Sequence, residues 1–280
     1  GRAFKWDSTN GYQDIGSLID GACVTNCYSG AWDINENGVI TGNSFSQDSP
    51  FGLLSMHAFR YENGTMTDLP PPNATGGYSR GIGINDNGVI IGRASVDTFT
   101  NSDKYMAQWD AANNFTHDNP PGNYSSGRDI NNNDIAVGIA RSGVDTPNQA
   151  AYWDAQGNVS IFAGTGGQFR SRLSGINDSG IAVGASENAE GIYNAIISFD
   201  GTTVIDLNTI VDLTGTGFIS LDEAFDINEA GDIVGVGTLI SGEQGAFYIA
   251  AVPIPAAVWL FASGLGLLGW MRGKRTAGNA

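Results

Sequence analysis

The 280-residue sequence has few charged residues and few of the side chains that most often bind metals. Only 15% of the residues are charged, and there are two cysteines and two histidines. A helical bundle would need more Lys, Glu and Leu than this. A zinc site built on Cys23 and Cys27 would need two more ligands, and His57 and His117 lie far along the chain. We therefore expect no metal site, no cofactor and no catalytic centre of that kind.

Basic residues are also scarce. Thirteen Lys and Arg face 29 Asp and Glu, giving a formal net charge of −16. Such a chain is repelled by nucleic acids and by anionic membrane surfaces, so neither is expected as a partner. The chain starts at Gly1 rather than Met, which suggests a removed leader. In that setting the close pair Cys23 and Cys27 predicts a disulfide in an oxidising compartment, with half of a metal site as the alternative.

Glycine, by contrast, is abundant, with 40 residues, and much of it belongs to a repeat. An Ile-Asn phrase occurs five times at intervals of 46 to 51 residues, with its asparagine at positions 35, 85, 131, 177 and 228. Each phrase leads through a polar turn into an apolar run ending in glycine, such as Val39–Gly42, which is typical of a β-hairpin. A fixed period that carries several strands is typical of a β-propeller.

A second phrase follows each hairpin and alternates apolar with polar residues, as in Ala58–Glu62, before another turn and strand. Two hairpins per period predict an all-β propeller of five to six four-stranded blades over residues 1–251. The second phrase places one aromatic in each blade, and we expect these to pack in the core: Trp6, Tyr61, Trp109, Trp153 and Phe199. The N-terminal strands either complete the last blade, which we favour, or complete a neighbouring molecule's sheet.

The phrases His57-Ala58-Phe59 and Asp68-Leu69, alternating with Ile-Asn-x-x-Gly-x-Ile-x-Gly, resemble the bacterial extracellular HAF-repeat proteins. The resemblance covers roughly residues 1–250. It implies a secreted, propeller-like domain, and no shared catalytic residues come with it.

Residues 252–280 form a second, different segment. No charge occurs from Ile254 to Met271, and a basic cluster follows at once. A helix over this run is about 27 Å long, enough to cross a bilayer, with the basic end on the cytoplasmic side. The residues expected to anchor or assemble the protein are Val252, Pro253, Pro255, Trp259, Leu260, Phe261, Gly264, Leu265, Leu267, Leu268, Trp270, Arg272, Lys274 and Arg275.

This segment resembles the PEP-CTERM type of C-terminal sorting signal, in its Val-Pro-Leu-Pro-Ala form, with Ile254 where that form has Leu. The resemblance implies a Gram-negative bacterium, transient insertion in the inner membrane and processing by an exosortase-like protease. It also implies an extracellular or surface location, association with matrix, and glycans on the protein.

The first-strand acids Asp33, Asp129 and Asp226 could face a central channel, as paired carboxylates do in propeller glycoside hydrolases. The alternative is that each caps its adjacent turn, which we favour. We therefore expect a non-enzymatic surface or matrix protein, forming a homo-oligomer or homopolymer through its C-terminal helix or N-terminal strands. The runner-up is a surface-anchored propeller that binds or hydrolyses carbohydrate.

Overall fold

The computed structural model describes residues 1–19, 27–47, 55–71, 77–95, 104–118, 120, 122–165, 167 and 169–251. Within these ranges the chain is all-β, with twenty-one strands and a single short 3-10 helix, Leu207–Thr209. This part of the chain contains no helix with the length and apolar character of a membrane span. The helix expected over residues 252–280 lies outside the described residues and stays a prediction.

Four sheets have four strands each, connected in sequence as antiparallel meanders. Their strands follow in chain order: β3 (Ser29–Ile34), β4 (Ile40–Ser46), β5 (Ser55–Glu62) and β6 (Thr65–Leu69); β7 (Ser79–Ile84), β8 (Ile90–Ser95), β9 (Lys104–Trp109) and β10 (Phe115–His117); β11 (Ser125–Ile130), β12 (Ala136–Ala140), β13 (Gln149–Trp153) and β14 (Val159–Phe162); β15 (Ser171–Ile176), β16 (Ala182–Glu187), β17 (Tyr193–Ser198) and β18 (Ile205–Asp206). The predicted period of two hairpins per unit is confirmed in these four sheets.

The sheets at the two ends are smaller. Within the described ranges, the first contains β1 (Ala3–Asp7) and β2 (Gly11–Gly16), and the last contains β19 (Phe218–Ile227), β20 (Ile233–Leu239) and β21 (Gln244–Ile249). In the described part of the chain β1 and β2 pair with each other and not with the last sheet. The favoured expectation, that the N-terminal strands complete the last blade, is therefore not what the structure shows.

The Ile-Asn phrase forms the tight turn between the first two strands of a unit. In the first full unit the side-chain oxygen of Asn35 accepts from the Val39 N–H at 2.9 Å, and its carbonyl accepts from the Gly38 N–H at 2.9 Å. Gly38 has a φ of 76°, which favours glycine. Asp134 replaces this glycine in the third unit and adopts a φ of 59°, a conformation that Asp tolerates better than most residues.

The glycine that ends each apolar run is required by the first strand. Every first strand bulges just before the repeated isoleucine, as between Gly81 and Gly83. A Cβ on Gly92 would lie 1.9 Å from the carbonyl oxygen of Arg80. The same approach recurs at the other four positions, which are Gly42, Gly138, Gly184 and Gly235. The motif glycine is therefore a close-approach residue that lets the bulged strand pair with its neighbour.

Consecutive sheets pack face to face in chain order, and apolar clusters fill the space between them. One such cluster joins Val89 and Ile91 of one unit with Ile130, Ala136 and Trp153 of the next. The second strands of the four complete sheets are largely buried on both faces, as their continuous apolar pattern predicts. The core thus lies between the sheets, and each sheet depends on its neighbours for burial.

A ladder of asparagines joins the turns. The side-chain amide of Asn35 donates to the carbonyl of Asn85, that of Asn85 to Asn131, and that of Asn131 to Asn177, each at 2.9 Å. Asn177 donates to Asn228 at 3.2 Å. The ladder is directional, because the side-chain amide of each of these four asparagines donates to the unit that follows it. The repeated Asn therefore both builds its own turn and fixes the position of the next one.

Candidate functional site

Five equivalent residues occupy the innermost position of the array, just before the repeated isoleucine. They alternate between acid and glycine: Asp33, Gly83, Asp129, Gly175 and Asp226. The carboxylate of Asp33 accepts from its own neighbour Ile34 and from Ile84 in the next unit, both at 2.8 Å.

Asp129 repeats this arrangement with Ile130 and Ile176, again at 2.8 Å. Each of these two acids therefore connects its unit to a following unit that has glycine at the same position.

The three innermost acids influence one another electrostatically. Burial, helped by the carboxylates of Asp226 and Asp33, raises the pKa of Asp129 to about 7, although two backbone N–H donors oppose the shift. Burial also raises the pKa of Asp33, with a smaller contribution from Asp226. That these acids line a central channel stays a prediction. In Asp33 and Asp129 both carboxylate oxygens accept hydrogen bonds from backbone N–H groups. These bonds hold neighbouring units together.

A Ser-His-Asp relay, which sequence reasoning missed, lies on strands β5 and β6. His57 Nε2 is 3.2 Å from the Ser55 hydroxyl, and Nδ1 is 3.0 Å from the Asp68 carboxylate. His57 is completely buried, and Ser55 is buried as well. A nucleophile must be reached by substrate, so this relay serves to tie β5 to β6. A similar polar pair, Asn194 to Asp206 at 2.8 Å, connects β17 to β18.

A cleft between neighbouring units has a volume of about 710 Å³ and is basic. Four arginines line it: Arg128, Arg141, Arg170 and Arg172. The opposing acids are Asp145 in the cleft wall and Glu223, which pairs with Arg172. Apolar surface comes from Ile139, Val144 and Pro147. This cleft therefore gathers basic side chains in a strongly acidic chain.

Aromatic rings and polar groups hold two of these arginines. The Arg141 guanidinium lies 4.9 Å from the Tyr124 ring centroid and donates to Asn148 at 3.0 Å. The Arg172 guanidinium lies 5.0 Å from the Tyr193 ring and donates to Glu223 at 2.7 Å. Such cation–π and ionic contacts limit side-chain motion. Arg141 and Arg172 therefore form a fixed wall of the cleft.

Arg128 and Arg170 differ from this pair. Within the described residues their guanidinium groups make no hydrogen bond or ion pair. Partial burial lowers the pKa of Arg128, and the charge of nearby Arg172 lowers it further, while Glu223 opposes the shift. Sequence reasoning missed the cleft because its arginines belong to neither repeated phrase. The sequence feature that could have indicated the cleft is the clustering of scarce basic residues in and beside the strands β11 and β15.

The two ends of the array expose apolar residues that interior units bury. Ile84, Ile130, Ile176 and Ile227 are 5–6% exposed, whereas Ile34 in the first full unit is 56% exposed. With Phe4, Trp6 and Trp32 it forms what we call the first end face, which surrounds a cleft of about 270 Å³. The expectation that the repeated aromatics are core holds for Trp109 and Trp153, each 1% exposed, and fails for Trp6, which is 61% exposed.

At the opposite end no further sheet follows the last one within the described residues. Val137 and Val183 are fully buried, but the equivalent Val234 is 44% exposed. Asn228 is exposed and donates to Asp232 of its own turn at 3.1 Å instead of to another unit. We call Asp226, Asn228, Val234 and Tyr248 the last end face. The asparagine ladder therefore stops at this face for want of a next unit.

Two other expected sites fall outside the described residues. Cys23 is not among the described residues, so its disulfide with Cys27 stays a prediction, although no described cysteine is free. The residues expected to anchor or assemble the protein, from Val252 to Arg275, also lie outside the described residues.

No protein-family profile matches the chain, and no curated protein matches it in sequence. Solved structures show low similarity. A structure assigned as TolB from Agrobacterium tumefaciens has a TM-score of 0.45 and 14% identity, covering 90% of each chain. TolB from Acinetobacter baumannii has a TM-score of 0.42 and 11% identity, over 78% of this chain and 53% of that one. A structure assigned as a gluconolactonase has a TM-score of 0.40 and 10% identity, over 82% and 79%.

Proposed function

We propose that this chain is a non-enzymatic structural protein of the bacterial surface or extracellular matrix, and that it assembles with copies of itself end to end. The observation that carries the proposal is the pair of exposed end faces. Interior units bury the residues that these faces leave in contact with water. Contiguous exposed apolar surface on a soluble protein usually indicates an interaction site. Because the two faces differ, a contact between them is heterologous and continues from copy to copy.

Unpaired strand edges support the same mode of assembly. Among the described residues the last sheet has three strands where the four complete sheets have four, and β1–β2 forms a separate two-stranded sheet. An unpaired edge favours strand addition by another chain. We therefore assign the contact to β1–β2 of one copy and the β19–β21 sheet of the next. The C-terminal segment, with its sorting-signal resemblance, would export the protein from a Gram-negative cell and reinforce or anchor the assembly.

Electron microscopy and light scattering of the full chain test the proposal. We expect linear assemblies, and we expect Trp6→Ser and Tyr248→Ser each to shift the protein toward monomers because each removes apolar area from one end face. Ile192→Ser is the matched control, since Ile192 is an exposed apolar residue of an interior unit. A chain that stays monomeric at every concentration would contradict the proposal. Assembly that persists in both end-face variants would indicate that the C-terminal segment, and not the end faces, makes the contact.

A chain lacking residues 252–280 separates the two contributions. If the end faces suffice, the shortened chain still assembles, at higher concentration. If it is folded and strictly monomeric, the C-terminal segment makes the contact and the end faces do not.

The runner-up is a carbohydrate-active protein that uses Asp33, Asp129 and Asp226. Both oxygens of Asp33 and Asp129 are engaged by backbone donors, which supports a structural role for them. Screening of glycan hydrolysis with the full chain and with the triple Asp→Asn variant tests this alternative. Activity that disappears in the variant would overturn the non-enzymatic proposal. Labelling of Ser55 by a serine-reactive fluorophosphonate would do so as well.

A further inference from the structure

The basic cleft has unused binding capacity that the structural role does not explain. Arg128 and Arg170 line it without a side-chain partner among the described residues, while Arg141 and Arg172 are held by Tyr124, Asn148, Tyr193 and Glu223. A guanidinium presents N–H donors in a fork that matches a carboxylate. The fixed pair shapes the cleft, and the free pair is available to an anion.

The size and lining of the cleft indicate more than a simple anion. Its volume of about 710 Å³ is within the range of roughly 300–1,000 Å³ found for small-molecule sites. A phosphate or sulfate ion would fill a small part of it. Val144 and Pro147 supply apolar surface beside polar Thr146 and Asn148. Sugars present such a mixture, with C–H faces and hydroxyl groups on one ring.

The charge of the rest of the molecule limits the length of the ligand. The chain carries a formal charge of −16, so a long polyanion that runs out of the cleft is repelled by the surrounding surface. At physiological salt the charges are screened beyond about 8 Å. A short ligand keeps its charges beside the arginines and avoids most of that repulsion. Asp145 in the wall also disfavours a second anionic group on its side of the cleft.

We propose that this cleft binds a short uronic-acid oligosaccharide, whose carboxylates pair with Arg128 and Arg170 and whose rings pack on the surface of Val144 and Pro147. The inference goes beyond the structural role and does not depend on assembly.

Calorimetric titration of the monomer-favouring Trp6→Ser full chain with trigalacturonate tests this site, so a failure of the assembly proposal leaves the measurement intact. A neutral trisaccharide and inorganic phosphate are titrated alongside. We expect saturable binding of trigalacturonate, at least tenfold tighter than either comparison ligand. Arg128→Gln and Arg170→Gln should each weaken it at least tenfold. Arg80→Gln is the matched control, because Arg80 stacks over Trp32 at 3.7 Å and does not line the cleft.

Four results would overturn the inference once thermal unfolding has shown each variant to be folded. Absence of saturable binding would remove the site. Equal binding of the neutral trisaccharide would show that the arginines do not recognise the ligand, and equal binding of phosphate would show a simple anion site. An equal loss in Arg80→Gln and Arg128→Gln would show a general charge effect instead of a cleft.

Discussion

Interior units and end units of this molecule share several repeated residues and place them in different environments. The isoleucine of the repeated phrase is buried in four units and exposed in the first full unit, where it is Ile34. The third residue of the apolar run is buried as Val137 and Val183 but exposed as Val234 in the last unit. The difference shows that the repeat specifies a contact between units. A single unit leaves its apolar residues without cover, as in other repeat proteins.

The hydrogen bonds show the same contrast. The side chain of an interior asparagine such as Asn131 forms hydrogen bonds within its own turn and to the turn of the next unit. Among the described residues, the side chain of Asn228 forms hydrogen bonds within its own turn alone. Stability in this fold should therefore depend on the position of a residue in the array as well as on its type. Each of the following predictions compares an interior residue with its counterpart at an end, or removes one interior contact.

The largest expected effect comes from the repeated aromatics. Trp153 is buried between two sheets and donates its indole N–H to Asp118 at 2.8 Å. Trp153→Ala should lower the free energy of unfolding by about 3–5 kcal/mol. Trp6→Ala, at the equivalent exposed position, should lower it by less than about 1 kcal/mol. Denaturant unfolding of both variants measures the difference. Equal losses would show that the first end face is covered in solution.

A dependence of stability on pH should come from Asp129. Its pKa is raised from 3.8 to about 7, so the folded protein retains a proton that the unfolded chain loses. The stabilisation is fully present below about pH 4 and is lost as the pH rises through about 7, by at most about 4 kcal/mol. In Asp129→Asn this loss is absent.

Other acids, such as exposed Asp110, have a lowered pKa and act in the opposite direction. They are common to both proteins and cancel in the difference. Thermal unfolding of both proteins from pH 4 to pH 8 checks the prediction. A constant difference between them across that range would refute it.

The asparagine ladder should show a smaller contrast of the same kind. Asn131→Ala removes one donated bond to Asn177 and two accepted bonds, from Asn133 and Ile135. We expect a loss of about 2–3 kcal/mol, because buried groups of two turns are left without partners. Asn228→Ala removes bonds within one exposed turn and should cost about 1 kcal/mol or less. Urea unfolding curves of the two variants provide the comparison, and a larger loss at Asn228 would show that the ladder continues into another unit.

The periodicity of the sequence was enough to predict the interior of the molecule. The Ile-Asn turns, the apolar second strands and the two hairpins per unit follow from local patterns. The ends could not be predicted in this way, because exposure of Ile34 or Trp6 depends on whether a neighbouring unit exists. The basic cleft was missed for a related reason. Arg128 and Arg172 come from two different units, and only packing of β11 beside β15 brings them together.

The alternation of acid and glycine just before the repeated isoleucine gives the smallest of these contrasts, because it concerns one pair of neighbouring residues. A Cβ on Gly175 would lie 2.7 Å from the Asp226 carboxylate and 2.8 Å from its Cα, whereas on Gly83 the nearest atoms are 3.3 Å away. Gly175→Ala should therefore cost about 1–3 kcal/mol through overpacking, and Gly83→Ala less. Combining Gly175→Ala with Asp226→Gly removes the carboxylate and should recover part of the loss, since the remaining backbone can move away at the open end of the array. If the double variant recovers nothing, the two units are held more rigidly than an unpartnered last sheet allows, and the last end face must then be covered by another copy.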